Sequence, residues 1–295
     1  MLKFIFCVLV LSFELFAMEN YEVFIKQYQT THDENFITLR KFTDKGEVYY
    51  LLLNTQTFQT TLSTLDATKL TPLDDSFQKT RFAQTLYLAT SMPQGGGIGE
   101  KTSSLKNAIF LTMDMCPSLN KDYERTFLTS LINQNGKTPL AIAITSRWIE
   151  MHEEAFSNLA NNPHLEITWV NHTQTHFYDP HLPNEKNFML HVKTNVQREI
   201  LELEKSLIKR GITPSVFFRF PGLIANEKLM RELRETYFLI PIGSHTWIAK
   251  NQKIKNGSII LVHGNKNEHK GIEMLEKQLP SLIKKYTFKP LHEAF

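Results

Sequence analysis

Residues 107–114 read NAIFLTMD, residues 165–170 LEITWV, residues 215–222 SVFFRFPG and residues 259–263 IILVH. Each is a short apolar stretch rich in β-branched and aromatic residues, the composition of a buried strand. Each also runs into a polar residue at its carboxyl end: Asp114, then His172 in NHTQTH (171–176), then Arg219, then His263. PLAIAIT (139–145) and YFLIPIG (237–243) add two more strands of the same kind. Helical segments separate them. Residues 123–134 form a helix stopped by Asn135-Gly136, residues 149–160 one ended by Asn161-Asn162-Pro163, and residues 189–210 a long amphipathic one with Gly211 at its end. Residues 229–235 and 272–286 supply two more. Strands alternating with helices predict an α/β fold with a parallel sheet or barrel. In such barrels the chemistry sits at the carboxyl ends of the strands, which is where Asp114, His172, Arg219 and His263 fall.

The chain ahead of this pattern differs. EVYYLLLNTQTFQTTLSTL (47–65) is spaced like strands, residues 76–91 read as a helix, and residues 18–100 as a whole are β-rich and chemically quiet. QGGGIGE (94–100) reads as a flexible connection. It lacks the Lys-Ser/Thr ending of a phosphate loop and no strand-loop-helix pattern surrounds it. Residues 1–17 begin with Lys3, continue in FIFCVLVLSF (4–13) and reach the small Ala17 before MENYE, the pattern of a secretory signal peptide. The apolar run is shorter than the roughly 20 residues a membrane span needs. Glu14 and the large Leu15 depart from the pattern, and an uncleaved anchor or a buried strand is the alternative. The expected organisation is a leader over 1–17, a β-rich region with a Gly-rich linker over 18–100, and a catalytic domain over 101–295.

Bulk composition narrows the function. With 42% hydrophobic and 21% charged residues in a chain of 295, a packed core is expected and disorder is not. The 33 basic and 30 acidic residues are too evenly balanced to point to nucleic acid or an anionic membrane surface. Cys7 and Cys116 are the two cysteines, so a mature chain without its leader holds no internal disulfide. Export to the periplasm or the medium therefore rests on the leader.

His172 and His176 stand four apart, which on a tight turn or helix puts both rings on one face. Two neutral imidazoles aimed at one point make half of a Zn²⁺ or similar divalent site; two hydrogen-bonded loop histidines are the plainer reading. Asp114 serves either as a solvated turn residue or as a general base beside a metal. His263 is either a satisfied core residue or a proton donor at a barrel mouth. Arg219 could simply pair with a structural carboxylate.

Taken in order, these residues resemble the motifs of the polysaccharide deacetylase (NodB-type) family, carbohydrate esterase family four. Thr112-Met113-Asp114-Met115-Cys116-Pro117 is similar to its opening TFDDGP, His172-Thr173-Gln174-Thr175-His176 to H-S/T-x-x-H, Arg219-Phe220-Pro221-Gly222 to R-x-P-Y/G, and Leu261-Val262-His263 to L-x-H. Order and spacing agree over about 105–290, and four ordered motifs are far more specific than any one. The resemblance implies a deformed (β/α) barrel of the NodB type after a small β-rich segment. It implies that Asp114 is the general base, His172 and His176 metal ligands, Arg219 the residue that orients the base, and His263 the acid that protonates the leaving amine. It places an oxyanion donor at Gly222, after Pro221. The implied cofactor is a divalent metal, Zn²⁺ first, with Co²⁺ or Ni²⁺ as alternatives.

Two positions depart from the family pattern. Met115 stands where the family has its third metal ligand, an aspartate, and a thioether is a poor donor for Zn²⁺. A branch of the family reads D-A-C or similar here, and Met115-Cys116 resembles it. Asp114 could move onto the metal, Cys116 could supply a thiolate if it points inward, or the site binds metal weakly or not at all. Gly243-Ser244-His245-Thr246-Trp247 keeps the tryptophan of the family's aspartate-tryptophan motif but not the aspartate that tunes the general acid. Trp247 either lines a sugar groove or packs in the core. The expectation is an enzyme that removes N-acetyl groups from an envelope or extracellular polysaccharide. Its partner is an N-acetylated glycan, with no nucleic acid and no stable membrane span after leader removal. The alternatives are a catalytically silent sugar-binding relative and a hydrolase of another C–N bond on the same fold.

Overall fold

The computed structural model describes residues 18–29, 35–120 and 122–295. The leader read in residues 1–17, Cys7 included, lies outside the described residues. The chain opens with an antiparallel sheet of β1 (Glu19–Gln29), β2 (Asn35–Asp44), β3 (Glu47–Asn54), β4 (Thr60–Ser63) and β5 (Leu70–Thr71), ordered β4-β3-β2-β1-β5. The helix expected over 76–91 is shorter. It is α1 (Arg81–Thr90), because Thr80 takes the cap position and its side chain accepts the Ala83 N–H.

The second sheet is parallel: β6 (Ala108–Met115), β7 (Thr138–Ile144), β8 (Leu165–Asn171), β9 (Phe217–Phe218), β10 (Ile240–Pro241), β11 (Thr246–Trp247) and β12 (Ile259–His263). Their order is β10-β9-β8-β7-β6-β12-β11, and β13 (Thr287–Phe288) also pairs with β6. The helices between them are α2 (Arg125–Asn135), α3 (Ser146–Met151), α4 (Glu153–Ala160), α5 (Val196–Ile208), α6 (Glu227–Glu232) and α7 (His269–Lys285). This is the expected open, deformed β/α barrel. The single helix expected over 149–160 is two, because His152 leaves the helical region at φ −139°. The long helix expected from 189 begins at Val196, where the Asn195 side chain caps it by accepting the Arg198 N–H.

Residues two apart on a strand share a face, and β6 shows what this decides. Ile109, Leu111, Met113 and Met115 join the core formed with α2 and α7. Ala108 and Phe110 belong to a second core on the opposite face, shared with α1 and the N-terminal sheet. Thr112 and Asp114 continue that second face upward, toward the carboxyl end of the sheet. Met115 is therefore committed to the helix-side core, and the next residue of the inward parity is Cys116.

The glycine cluster is not the flexible connection expected of it. Residues 96–99 are buried, Ile98 bridges Ile242, and Glu100 bridges Ser258. The segment thus ties the β10 side of the open sheet to the β12 side. Gly97 has φ +121°, and a Cβ there would lie 2.2 Å from the Pro241 carbonyl oxygen, so only glycine lets the backbones approach. The N-terminal sheet is likewise no appendage. Arg40 on β2, fully buried, meets Glu204 on α5 through two bonds of 2.7 and 2.8 Å, and Tyr21 donates to the same carboxylate at 2.8 Å. Among the described residues no helix is long and apolar enough to cross a membrane.

Candidate active site

A cleft of about 940 Å³ opens at the carboxyl ends of the parallel strands, near the upper end of the size range of small-molecule sites. Asp114, Cys116, His172, His176, Gly222, Trp247 and His263 all line it. The register of β12 on β6 puts His263 directly opposite Asp114.

Asp114 is buried, and its Oδ1 accepts from Arg219 Nη1 at 2.6 Å. Arg219 is itself fully buried. The same Nη1 reaches Thr112 Oγ1 at 2.7 Å, Nη2 reaches the Gly243 carbonyl at 3.2 Å and Nε the Ile242 carbonyl at 3.3 Å. The guanidinium is thus held rigidly under the carboxylate. Burial pushes the Asp114 carboxyl up, but the charge of Arg219, with His172 and His263 beside it, outweighs that and holds the group below the usual carboxylate range. Its Oδ2 is left facing the cleft, 3.9 Å from His172 Nε2.

His172 Nδ1 lies 2.8 Å from the Arg219 carbonyl. A carbonyl can only accept, so Nδ1 carries the proton and the Nε2 lone pair is aimed into the cleft, the tautomer a metal ligand needs. His176 reaches the same point by way of a tight turn. Thr173 has φ +75° and His176 φ +49°, and the Thr173 hydroxyl accepts the His176 N–H at 3.1 Å. The two imidazoles meet edge to face with centroids 4.8 Å apart.

The third donor is Cys116. Its Sγ and one nitrogen from each of His172 and His176 lie within 4.8 Å of one another, a group that can hold a metal ion. Cys116 Sγ is 3.6 Å from His172 Nε2. Tetrahedral Zn²⁺ with bonds of about 2.0–2.1 Å to nitrogen and 2.3 Å to sulfur sets those atoms roughly 3.6 Å apart, so the pair fits. The Asn265 side-chain amide fixes the Cys116 backbone by donating to its carbonyl at 2.7 Å. Burial pushes the Cys116 thiol up, but the neighbouring His176, His172 and His263 outweigh it and bring it well below the ordinary thiol value. The same pairing raises His176 against the opposing effect of its burial. Asp114, the other candidate for third ligand, instead stands beside the donor group in the grip of Arg219.

Opposite the donors, His263 Nδ1 lies 2.9 Å from Glu268 Oε2, which also accepts the Trp247 indole N–H at 2.7 Å. Burial works against protonation of His263, but bonds to Cys116 and Glu268 and the charges of Cys116 and Asp114 push it up to about 10. Glu268 is therefore the carboxylate partner of His263, and it comes from the turn before α7 rather than from the tryptophan motif. The one sequence signal for it is a carboxylate five residues past His263. Trp247 is half-buried at the cleft edge, with Lys250 Nζ 3.6 Å from its ring centroid.

The turn after β9 supplies backbone. Pro221 is buried and does not line the cleft; it sets a 3₁₀ turn in which Gly222 takes φ +65°. The Leu223 and Ile224 N–H groups close on the Phe220 and Pro221 carbonyls at 2.9 and 3.2 Å. Gly222 is thus the N–H of this turn left to face the cleft. A Cβ at Gly222 would lie 2.7 Å from the Phe188 ring.

No family model matches the chain. Among solved structures it is similar to a family 4 carbohydrate esterase from Bacillus anthracis, with 20% identity over 71% of this chain and 91% of that one, at a TM-score of 0.52. It is also similar to a family 4 carbohydrate esterase from Bacillus subtilis, with 16% identity over 72% and 88% of the two chains, at 0.49. A third is the catalytic domain of a peptidoglycan N-acetylglucosamine deacetylase from Eubacterium rectale, with 19% identity over 65% and 92%, at 0.45. The first of these establishes a shared fold: the parallel half-barrel, here preceded by the antiparallel sheet.

Proposed function

We propose that the chain is a metal-dependent amidohydrolase that removes N-acetyl groups from a glycan, releasing acetate and a free amine. The observation that carries the proposal is the convergence on one cleft of a carboxylate held by a buried arginine, a Cys-His-His donor group, and a histidine paired with a glutamate. The family 4 carbohydrate esterase of similar fold supports the choice of a carbohydrate substrate. The thiolate and imidazole donors suit Zn²⁺ or Co²⁺ better than Mg²⁺ or Ca²⁺, which prefer oxygen. When bound by Cys116, His172 and His176, such an ion supplies Lewis acidity, polarising the amide carbonyl and acidifying water.

The chain's own residues then divide the work. Asp114, kept ionised by Arg219, accepts a proton from the attacking water through its free Oδ2. The Gly222 N–H donates to the carbonyl oxygen as it gains negative charge. His263, protonated and held by Glu268, gives a proton to the nitrogen as the C–N bond breaks, so the amine leaves neutral. Base and acid face each other because β6 and β12 are neighbours in register. The leader read in residues 1–17 supports extending the proposal to a periplasmic or secreted enzyme acting on an envelope or extracellular polysaccharide.

The test measures metal content and acetate release from N-acetylglucosamine oligomers for the wild type, Cys116→Ser, His172→Ala and Asp114→Asn. Support would be stoichiometric metal in the wild type and in Asp114→Asn, its loss in the other two, and loss of acetate release in all three variants. A wild type that neither binds nor hydrolyses after addition of Zn²⁺ or Co²⁺ would sink the proposal.

A further inference from the structure

The charge around the cleft is uneven in a way the hydrolysis does not use. Two carboxylates line the cleft, and both are engaged: Asp114 with Arg219, and Glu268 with His263 and Trp247. Arg147 lines the same cleft, is exposed, and makes no side-chain hydrogen bond or ion pair among the described residues. It stands on the first turn of α3, and its backbone N–H donates to the Gln174 carbonyl at 3.0 Å. This anchors it beside the turn that carries both metal-ligand histidines. A second arginine meets the side chain of the same glutamine. Arg198, exposed on α5, donates through Nε to the Gln174 side-chain oxygen at 3.1 Å and has no carboxylate partner among the described residues. The next residue of its helix, Glu199, is turned inward onto Thr175, bonding its N–H at 2.8 Å and its hydroxyl at 2.6 Å, and Glu202, one turn on, pairs with Lys205 at 2.9 Å.

We propose that Arg147, which lines the cleft, receives an anionic group of the substrate, with Arg198 joined to the same Gln174 just outside the lining residues, so that the preferred glycan is acidic rather than neutral. This rests on the glycan-hydrolase reading of the same cleft. An unpaired guanidinium presents a planar fork of N–H donors that matches a carboxylate or phosphate. The Gln174 amide that Arg198 touches is neutral and supplies no countercharge. Rim charges of this kind discriminate between ligands more than they add affinity, and salt weakens them.

The probes are N-acetylglucosamine tetramers carrying O-carboxymethyl groups, the same tetramers as neutral carboxamides, and O-phosphorylated tetramers. Binding is measured by calorimetry at low and high salt, alongside acetate release. The wild type is expected to bind the carboxymethyl or the phosphorylated form about five- to tenfold more tightly than the carboxamide at low salt. Which of the two is favoured identifies the anion. The ratio is expected to fall toward one in Arg147→Gln/Arg198→Gln and in high salt. Both positions are exposed, and circular dichroism checks that the variant folds. Equal affinity for charged and neutral tetramers, a preference that survives the double substitution, or no binding of any probe overturns the inference. Charge-selective binding without acetate release would leave the inference standing and remove the hydrolase reading.

Discussion

Replacing Glu268 by Gln isolates what Glu268 contributes, beside Cys116 and Asp114, to holding His263 protonated. The amide keeps an oxygen where the carboxylate had one, so the His263 Nδ1–H and the Trp247 indole N–H, at 2.9 and 2.7 Å, both retain an acceptor. Shape is conserved and one negative charge is lost. Two unit charges about 4 Å apart interact by about 4 kcal/mol at the effective dielectric constant of about 20 that suits protein sites. The Glu268 side chain is 31% exposed, and solvent screening discounts that figure. A loss on the order of 1–3 kcal/mol corresponds to a fall of about one to two pH units in the His263 titration, from its position at about 10. The acid that protonates the amine would then give up its proton at lower pH, and the alkaline limb of kcat against pH would move down by the same amount. Stability follows the same sign. His263 in the folded chain holds its proton more tightly than the ordinary value of 6.5, so its contribution is fully present below about 6.5 and is lost as pH rises toward about 10. In Glu268→Gln the upper edge of that window moves down. The assay is the pH profile of acetate release, paired with a histidine NMR titration of the same variant. An alkaline limb and a His263 titration both unmoved would refute the assignment of Glu268 as the partner of the acid.

Two further outcomes follow from Arg219 and Gly222. Arg219→Met leaves the Asp114 carboxylate buried without its cation, with an expected loss of roughly 3–5 kcal/mol in urea unfolding. Asp114→Leu in the same chain should restore much of that stability and none of the activity. Gly222→Ala meets both a left-handed backbone at φ +65° and the Phe188 ring 2.7 Å from the new Cβ. It should cost about 1–3 kcal/mol in thermal unfolding and, by shifting the Gly222 N–H, lower kcat about 10²–10³-fold. Activity near wild type in this variant would remove Gly222 from the oxyanion role.

The alternation of apolar runs with amphipathic helices is local information, and it carried the parallel β/α architecture and the positions of Asp114, His172, Arg219 and His263 at strand ends. A polar residue that closes an apolar strand has nowhere to go but the carboxyl edge of the sheet, so its neighbourhood is legible from one dimension. The third candidate metal donor was not, because choosing between Asp114 and Cys116 requires knowing which face of β6 meets the helices. Met115 sits in that helix-side core, and strand parity turns Cys116 toward the histidines. Glu268 was invisible for another reason: nothing in a run of five residues says that the turn before α7 folds back beneath His263 and Trp247. The glycine cluster QGGGIGE reads as a flexible connection because glycine is permissive, yet Gly97 uses that permissiveness for a close approach to Pro241 instead. Local sequence determined which residues could act and at which end of the sheet they stand. Distances such as the 2.6 Å between Asp114 and Arg219, 105 positions apart in the chain, arise from strand order and register, and only the folded sheet decides those.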